Sequence, residues 1–123
     1  MNSDAKLKTK PIGMLIIVGT PIGNSMDLSA RGIEAFEKAD LVLAEDTRVA
    51  KKLSKIRNFK IKKLVSFNNY SENKKVSSVI KKIESGNNVV LSCDAGMPLV
   101  SDPGYRLVRE CLKNDIVIDV VPG

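Results

Sequence analysis

Five apolar runs alternate along the chain with four stretches whose apolar residues recur at three- and four-residue spacing. The runs are Met14 to Val18, Leu41 to Ala44, a weaker one from Lys63 to Phe67, Val89 to Ser92 and Ile116 to Val121. A short continuous apolar run marks a strand buried on both faces. Between the runs, Leu28, Ile33 and Phe36 fall on one helical face, as do Val49, Leu53 and Ile56. Val76, Val79, Ile80 and Ile83 form a third such face, and Leu107, Val108, Cys111 and Leu112 a fourth. Strand then helix, four times over, then a strand, predicts an α/β fold. The expected architecture is a parallel five-stranded sheet flanked by helices on both faces, with right-handed crossovers.

Punctuation residues set the expected ends. Asp27 can cap the first helix, which runs to about Lys38; Asp46 or Thr47 the second; Ser71 the third; and Asp102 the fourth, with Pro103 in its first turn. Gly86 stands where the third helix should end, and Asn114 stops the fourth. Lys74, Lys75, Lys81 and Lys82 should turn outward from the third helix. Residues 1–13 are polar and Lys-rich, with Pro11, and read as a flexible leader to a domain at 14–123. Pro122-Gly123 falls where a further turn would begin, so a second domain is expected to be absent from this chain.

The 123 residues make one domain, and 43% hydrophobic content is enough for a core. Only 4% are aromatic and none is Trp, so Val, Ile, Leu and Ala must build that core. Lys and Arg number 20 against 14 Asp and Glu, a net charge of +6, which suits an anionic partner or a solvated lysine surface. The charge is uneven. From Arg48 to Lys63 stand Arg48, Lys51, Lys52, Lys55, Arg57, Lys60, Lys62 and Lys63, with no acidic residue among them. This stretch is either a solvated face or a contact surface for RNA phosphates. Phe59 is its sole aromatic, which argues against a base-stacking platform.

Two cysteines, Cys93 and Cys111, read as small buried residues. With no histidine they make no recognisable zinc site, so no metal is expected. The lack of histidine also removes the usual general base and any Ser-His or Cys-His pair. No run is long enough to span a membrane and no signal peptide is visible, which places the protein in the cytoplasm.

Three turns carry candidate chemistry. Ser92 to Gly104 is a long polar connection after a strand, where ligands of open α/β sheets bind. Its Ala95 and Gly96 let a ligand approach the backbone. Gly19-Thr20-Pro21-Ile22-Gly23-Asn24 is neither a dinucleotide fingerprint nor a Walker loop. It is a tight strand-to-helix turn or one wall of a nucleotide-like pocket. Glu45-Asp46-Thr47-Arg48 puts three ionisable groups at a strand's carboxyl end. Glu45 and Arg48 can pair with each other or face a cleft.

Thr20-Pro21-Ile22-Gly23-Asn24, Ala44-Glu45-Asp46-Thr47-Arg48 and Ser92-Cys93-Asp94-Ala95-Gly96-Met97-Pro98, with Ser101-Asp102-Pro103-Gly104-Tyr105-Arg106, occur in that order. Together they resemble the small-subunit ribosomal RNA methyltransferase I family, ribose 2'-O-methyltransferases of the tetrapyrrole-methylase superfamily. The likeness runs from about Met14 to Gly123, and Cys93 beside Asp94 is a small departure. The resemblance implies an S-adenosylmethionine site in a cleft between this domain and a second α/β domain. It implies methylation of a cytidine ribose in 16S rRNA of the small ribosomal subunit, by a homodimer. Carried over, Asp94, Ala95, Gly96, Met97 and Val100 contact the cofactor, with Pro21 from the first turn. Ile22, Met97 and Leu99 offer apolar walls to its adenosine. Without histidine, Glu45, Asp46 or Asp102 takes the hydroxyl proton, or water does. Arg48, Lys51, Lys52 and Lys55 are the expected RNA contacts. Two rivals stand beside this reading: a tetrapyrrole or corrin methyltransferase on the same fold, and a non-catalytic binding or dimerisation module.

Overall fold

All five apolar runs become strands of one sheet. In the computed structural model they are β1 (Leu15–Gly19), β2 (Leu41–Ala44), β3 (Leu64–Ser66), β4 (Val89–Cys93) and β5 (Ile118–Val121). The helices are α1 (Ala30–Lys38), α2 (Thr47–Ile56), α3 (Glu72–Glu84) and α4 (Asp102–Lys113). The structure describes residues 11–20, 27–67, 72–93 and 102–121, the side chains of 72–74 and 102–104 excepted.

The strands are parallel, in the order β3-β2-β4-β1-β5. Gly19 pairs with Cys93, Ala44 with Ser92 and with Ser66, and Val18 with Val121, so the carboxyl ends line up along one edge of the sheet. The chain winds from β1 to β2 to β3 in one direction, then reverses to reach β4 and β5. Crossovers of one hand must then put α1 and α2 on one face and α3 and α4 on the other. The core divides accordingly. Phe36 and Ala39 beside α1 and Leu53 of α2 pack with Val18, Val42, Val90 and Val121. Val76, Val79, Ile80 and Ile83 of α3 and Leu107 and Cys111 of α4 pack with Leu15, Ile17, Leu41, Leu43, Val89 and Leu91. Odd and even strand positions thus serve opposite faces, which is why the inner strands read as unbroken apolar runs.

Phe36, Phe59 and Phe67 are buried in the core. Phe36 is fully buried and stacks on Phe59 with ring centroids 5.4 Å apart. Arg57 ties the same layer together: its Nη1 donates to the Leu28 carbonyl at 2.7 Å. At the amino ends of the strands, the Asn88 N–H donates to Asp40 at 2.9 Å, and Asn88 Oδ1 accepts from the Met14 N–H at 3.2 Å.

Several local expectations are corrected. Ser29, not Asp27, caps α1, its hydroxyl accepting from the Gly32 N–H at 3.0 Å. The helix therefore starts later, with Asp27 outside it. On α2, Ala50 and Leu53 are buried, whereas Val49 and Ile56 are exposed. The small Ala50 lets that side of the helix close on the sheet, rotating the expected face. Leu112 of α4 is likewise exposed. Lys75 does not turn outward; its Nζ donates to the Ser66 carbonyl and covers the end of edge strand β3. Ser71, the expected cap of α3, lies outside the described residues. Gly86 does end α3, at φ 107°, a conformation open mainly to glycine. Just before β1, Gly13 is buried, and its N–H donates to the Ile83 carbonyl at 2.7 Å.

Candidate functional site

The reversal of winding marks where a ligand can sit. β4 lies between β2 and β1, and its chain continues to the α4 face. The chains leaving β1 and β2 continue to the opposite face. Such a reversal, at the carboxyl ends of the strands, is the usual ligand position in open α/β sheets.

The carboxyl ends of the strands at the reversal carry small residues. Gly19 ends β1, Ala44 ends β2, and Ser92 and Cys93 end β4, where the middles of the same strands carry Val, Ile and Leu. Ser92 and Thr20 are the buried polar side chains among the described residues, and both stand here. Thr20 makes two bonds to one acceptor. Its N–H donates to the Cys93 carbonyl at 2.9 Å, and its hydroxyl donates to the same oxygen at 2.5 Å. Cys93 itself is half-buried. The motif reading assigns no role to the side chains of Thr20 and Ser92, although a polar residue closing an apolar run is a signal for both.

The expected cofactor residues Pro21, Asp94, Ala95, Gly96, Met97 and Val100 lie outside the described residues, as does the side chain of Asp102. The described flanks settle a coarser point. The strands that feed these two segments are neighbours, and Thr20 and Cys93, which immediately precede them, are bonded to each other.

The acidic turn lies at the end of β2, next to β4 in the sheet. Asp46 caps α2, its carboxylate accepting from the Arg48 N–H at 2.9 Å. Arg48 pairs with Asp46 rather than with Glu45: Nε reaches Oδ1 at 3.1 Å and Nη2 reaches Oδ2 at 3.0 Å. Hydrogen bonds from the Arg48 side chain and main chain hold the Asp46 carboxyl below its ordinary pKa, and Asp46 in turn raises that of Arg48. Glu45 is exposed at the strand's end.

From this turn α2 carries a basic stripe. Arg48, Lys51, Lys52 and Lys55 are all exposed, and helical spacing places them on one side, opposite buried Ala50 and Leu53. No ion pair to Lys51, Lys52 or Lys55 exists among the described residues. Lys60, Lys62 and Lys63 extend the exposed charge. Arg57 is set apart from the stripe by its bond to Leu28. Among the described residues, no helix is long and apolar enough to cross a membrane.

Comparison with known proteins agrees with this architecture. Residues 14–123 match the family described as Tetrapyrrole (Corrin/Porphyrin) Methylases. The chain is 45% identical over 113 residues to "Ribosomal RNA small subunit methyltransferase I" of Thermotoga maritima, covering 91% of this chain and 50% of that protein. It is 43% identical over 110 residues to the protein of the same name from Mycoplasmopsis pulmonis, covering 89% and 49%. The chain thus spans about half the length of these curated relatives. Among solved structures, uroporphyrin III C-methyl transferase from Thermus thermophilus superposes with a TM-score of 0.68 at 20% identity, over 90% of this chain and 48% of that one. At that identity the likeness is one of fold.

Proposed function

Because the chain belongs to the tetrapyrrole (corrin/porphyrin) methylase family, we propose that it forms the cofactor-binding half of an enzyme that methylates the 2'-hydroxyl of a cytidine ribose in 16S rRNA. The observation that carries this reading is the 45% identity, over nearly the whole chain, to a relative named as a ribosomal RNA small subunit methyltransferase. The winding reversal supports it physically. Its strand ends carry the small residues Gly19, Ala44, Ser92 and Cys93, which suit a close approach of a ligand to the main chain.

When bound, S-adenosylmethionine supplies an electrophilic methyl group on a positively charged sulfur. We assign its contacts to Pro21, Asp94, Ala95, Gly96, Met97 and Val100. The chain's own task is mainly alignment, since fixing the attacking oxygen in line with the methyl carbon removes much of the barrier. A proton must also leave the ribose hydroxyl. Asp46 suits that step poorly, because its carboxylate is held ionised by Arg48 and by capping α2. Glu45 and Asp102 are the assigned acceptors. Arg48, Lys51, Lys52 and Lys55 face the RNA phosphates, on the helix that starts after the end of β2. On this reading the protein works in the cytoplasm, on the small ribosomal subunit, as a pair of copies.

The test uses the full-length protein with methyl-tritiated S-adenosylmethionine. Small subunits lacking the modification and a corrinoid acceptor are supplied in parallel. Label in RNA that survives alkaline hydrolysis as a dinucleotide supports ribose methylation. Label in the corrinoid alone establishes the tetrapyrrole reading instead. Label in neither acceptor, from a well-folded protein, leaves a non-catalytic module.

A further inference from the structure

We infer that Thr20 is a positioning residue for the methyl donor: its hydroxyl and its N–H together hold the Cys93 carbonyl and so fix the carboxyl end of β4. This rests on the cofactor reading above.

The main-chain bond from Thr20 to Cys93 would form with any residue but proline at position 20, since it merely continues the pairing of Gly19 with Cys93. The hydroxyl bond is additional. Thr20 is 5% exposed, and a valine of the same shape would fill that space without a polar group to satisfy. A buried hydroxyl carries a desolvation cost, and bonding it to a carbonyl that already has a ladder partner returns little net stability. Packing alone therefore favours the valine.

What the hydroxyl adds is restraint. Two donors 73 positions away in sequence, converging on one oxygen, stop the Cys93 peptide from rotating about the strand axis. That peptide is the last described unit of β4, at the centre of the winding reversal. Thr20 immediately follows β1. The same bond thus joins the origins of both segments assigned to the donor. A ligand loop held in its binding direction loses less entropy on binding.

The experiment compares full-length wild type, Thr20→Val, Thr20→Ser and Thr20→Ala. Affinity for S-adenosylmethionine is measured by calorimetry, kcat and KM by methyl transfer, and melting temperature alongside. A hydrogen bond's worth of restraint predicts donor affinity about tenfold weaker in Thr20→Val, with melting within a few degrees of wild type. Thr20→Ser should restore most of the affinity, and KM for the donor should rise more than kcat falls. Should Thr20→Val not fold, Thr20→Ser against Thr20→Ala isolates the hydroxyl, because both lack the methyl. Equal donor affinity across that pair, or in Thr20→Val, overturns the inference while leaving the cofactor reading intact. Wild type that binds no S-adenosylmethionine overturns the cofactor reading itself, and the inference with it.

Discussion

Arg48 folds back onto Asp46, two residues before it, and both oxygens of the carboxylate receive its guanidinium. The same carboxylate caps α2 through the Arg48 N–H. One side chain thus starts the basic helix and neutralises the stripe's first charge. Arg48 is 88% exposed, so the ion pair is solvent-screened and adds little beside the cap.

Asp46→Ala should therefore lower the melting temperature measurably, and Asp46→Asn, which still caps, should lower it less. The pH dependence follows from the lowered carboxyl pKa. Its stabilisation is complete above the ordinary value of 3.8 and is lost as pH falls through the still lower folded value. Acid melts below about pH 4 should thus narrow the gap between wild type and Asp46→Ala. A constant gap down to about pH 2 would show that ionised Asp46 contributes nothing.

The layers of this fold are legible in the sequence because burial on both faces writes an unbroken apolar run in the inner strands β1, β2 and β4. Leu41 to Ala44 is placed to the residue on that basis, and the other four strands to within two residues at either end. Helix faces are less legible where neighbouring choices are close. Ala50 is apolar but small, and it takes the sheet-facing position over Val49 because a helix approaches a sheet more closely on its smaller side. Ser29 takes the cap from Asp27 because the following turn closes with Leu28 buried. The site is legible as motifs but not as a relation between them. No local pattern shows that β1 and β4 are neighbours, since their pairing spans the whole sequence between them.

Gly13 sets the tightest steric limit in the described chain. A Cβ built there would lie 1.8 Å from the Asn87 carbonyl oxygen, and the clash is with backbone, which cannot rotate away. Gly13→Ala should cost at least ~2 kcal/mol, since the turn before β1 or the one before β4 must shift. Denaturant titration measures this. A cost below about 0.5 kcal/mol would show that the two turns yield to the added methyl.

The basic stripe makes a quantitative claim on RNA. Replacing Lys51, Lys52 and Lys55 together by Gln in the full-length protein removes three exposed charges and leaves the core untouched. Binding to small-subunit RNA should weaken, and the slope of log affinity against log salt should shrink by about one for each phosphate no longer neutralised. Affinity for S-adenosylmethionine should not change. An unaltered salt slope would reduce these lysines to a solvated face.

The two thiols respond separately to the core and to the end of β4. Cys111 is fully buried, and burial, with Glu110 adding, pushes its pKa up to about 11. At about pH 8 its thiolate is then roughly one part in a thousand, and its modification by iodoacetamide should be slow until the protein unfolds. The raised value also fixes a sign. Above its ordinary 9.0 the unfolded chain ionises first, so stability should fall as pH climbs toward 11, and Cys111→Ala should flatten that decline. Cys93 is half-buried at the end of β4 and should label sooner. If the donor sits at the carboxyl end of β4, saturating S-adenosylmethionine slows labelling of Cys93 and leaves Cys111 unchanged, as peptide mapping by mass spectrometry would resolve. Binding that leaves the Cys93 rate untouched would put the donor elsewhere than the carboxyl end of β4.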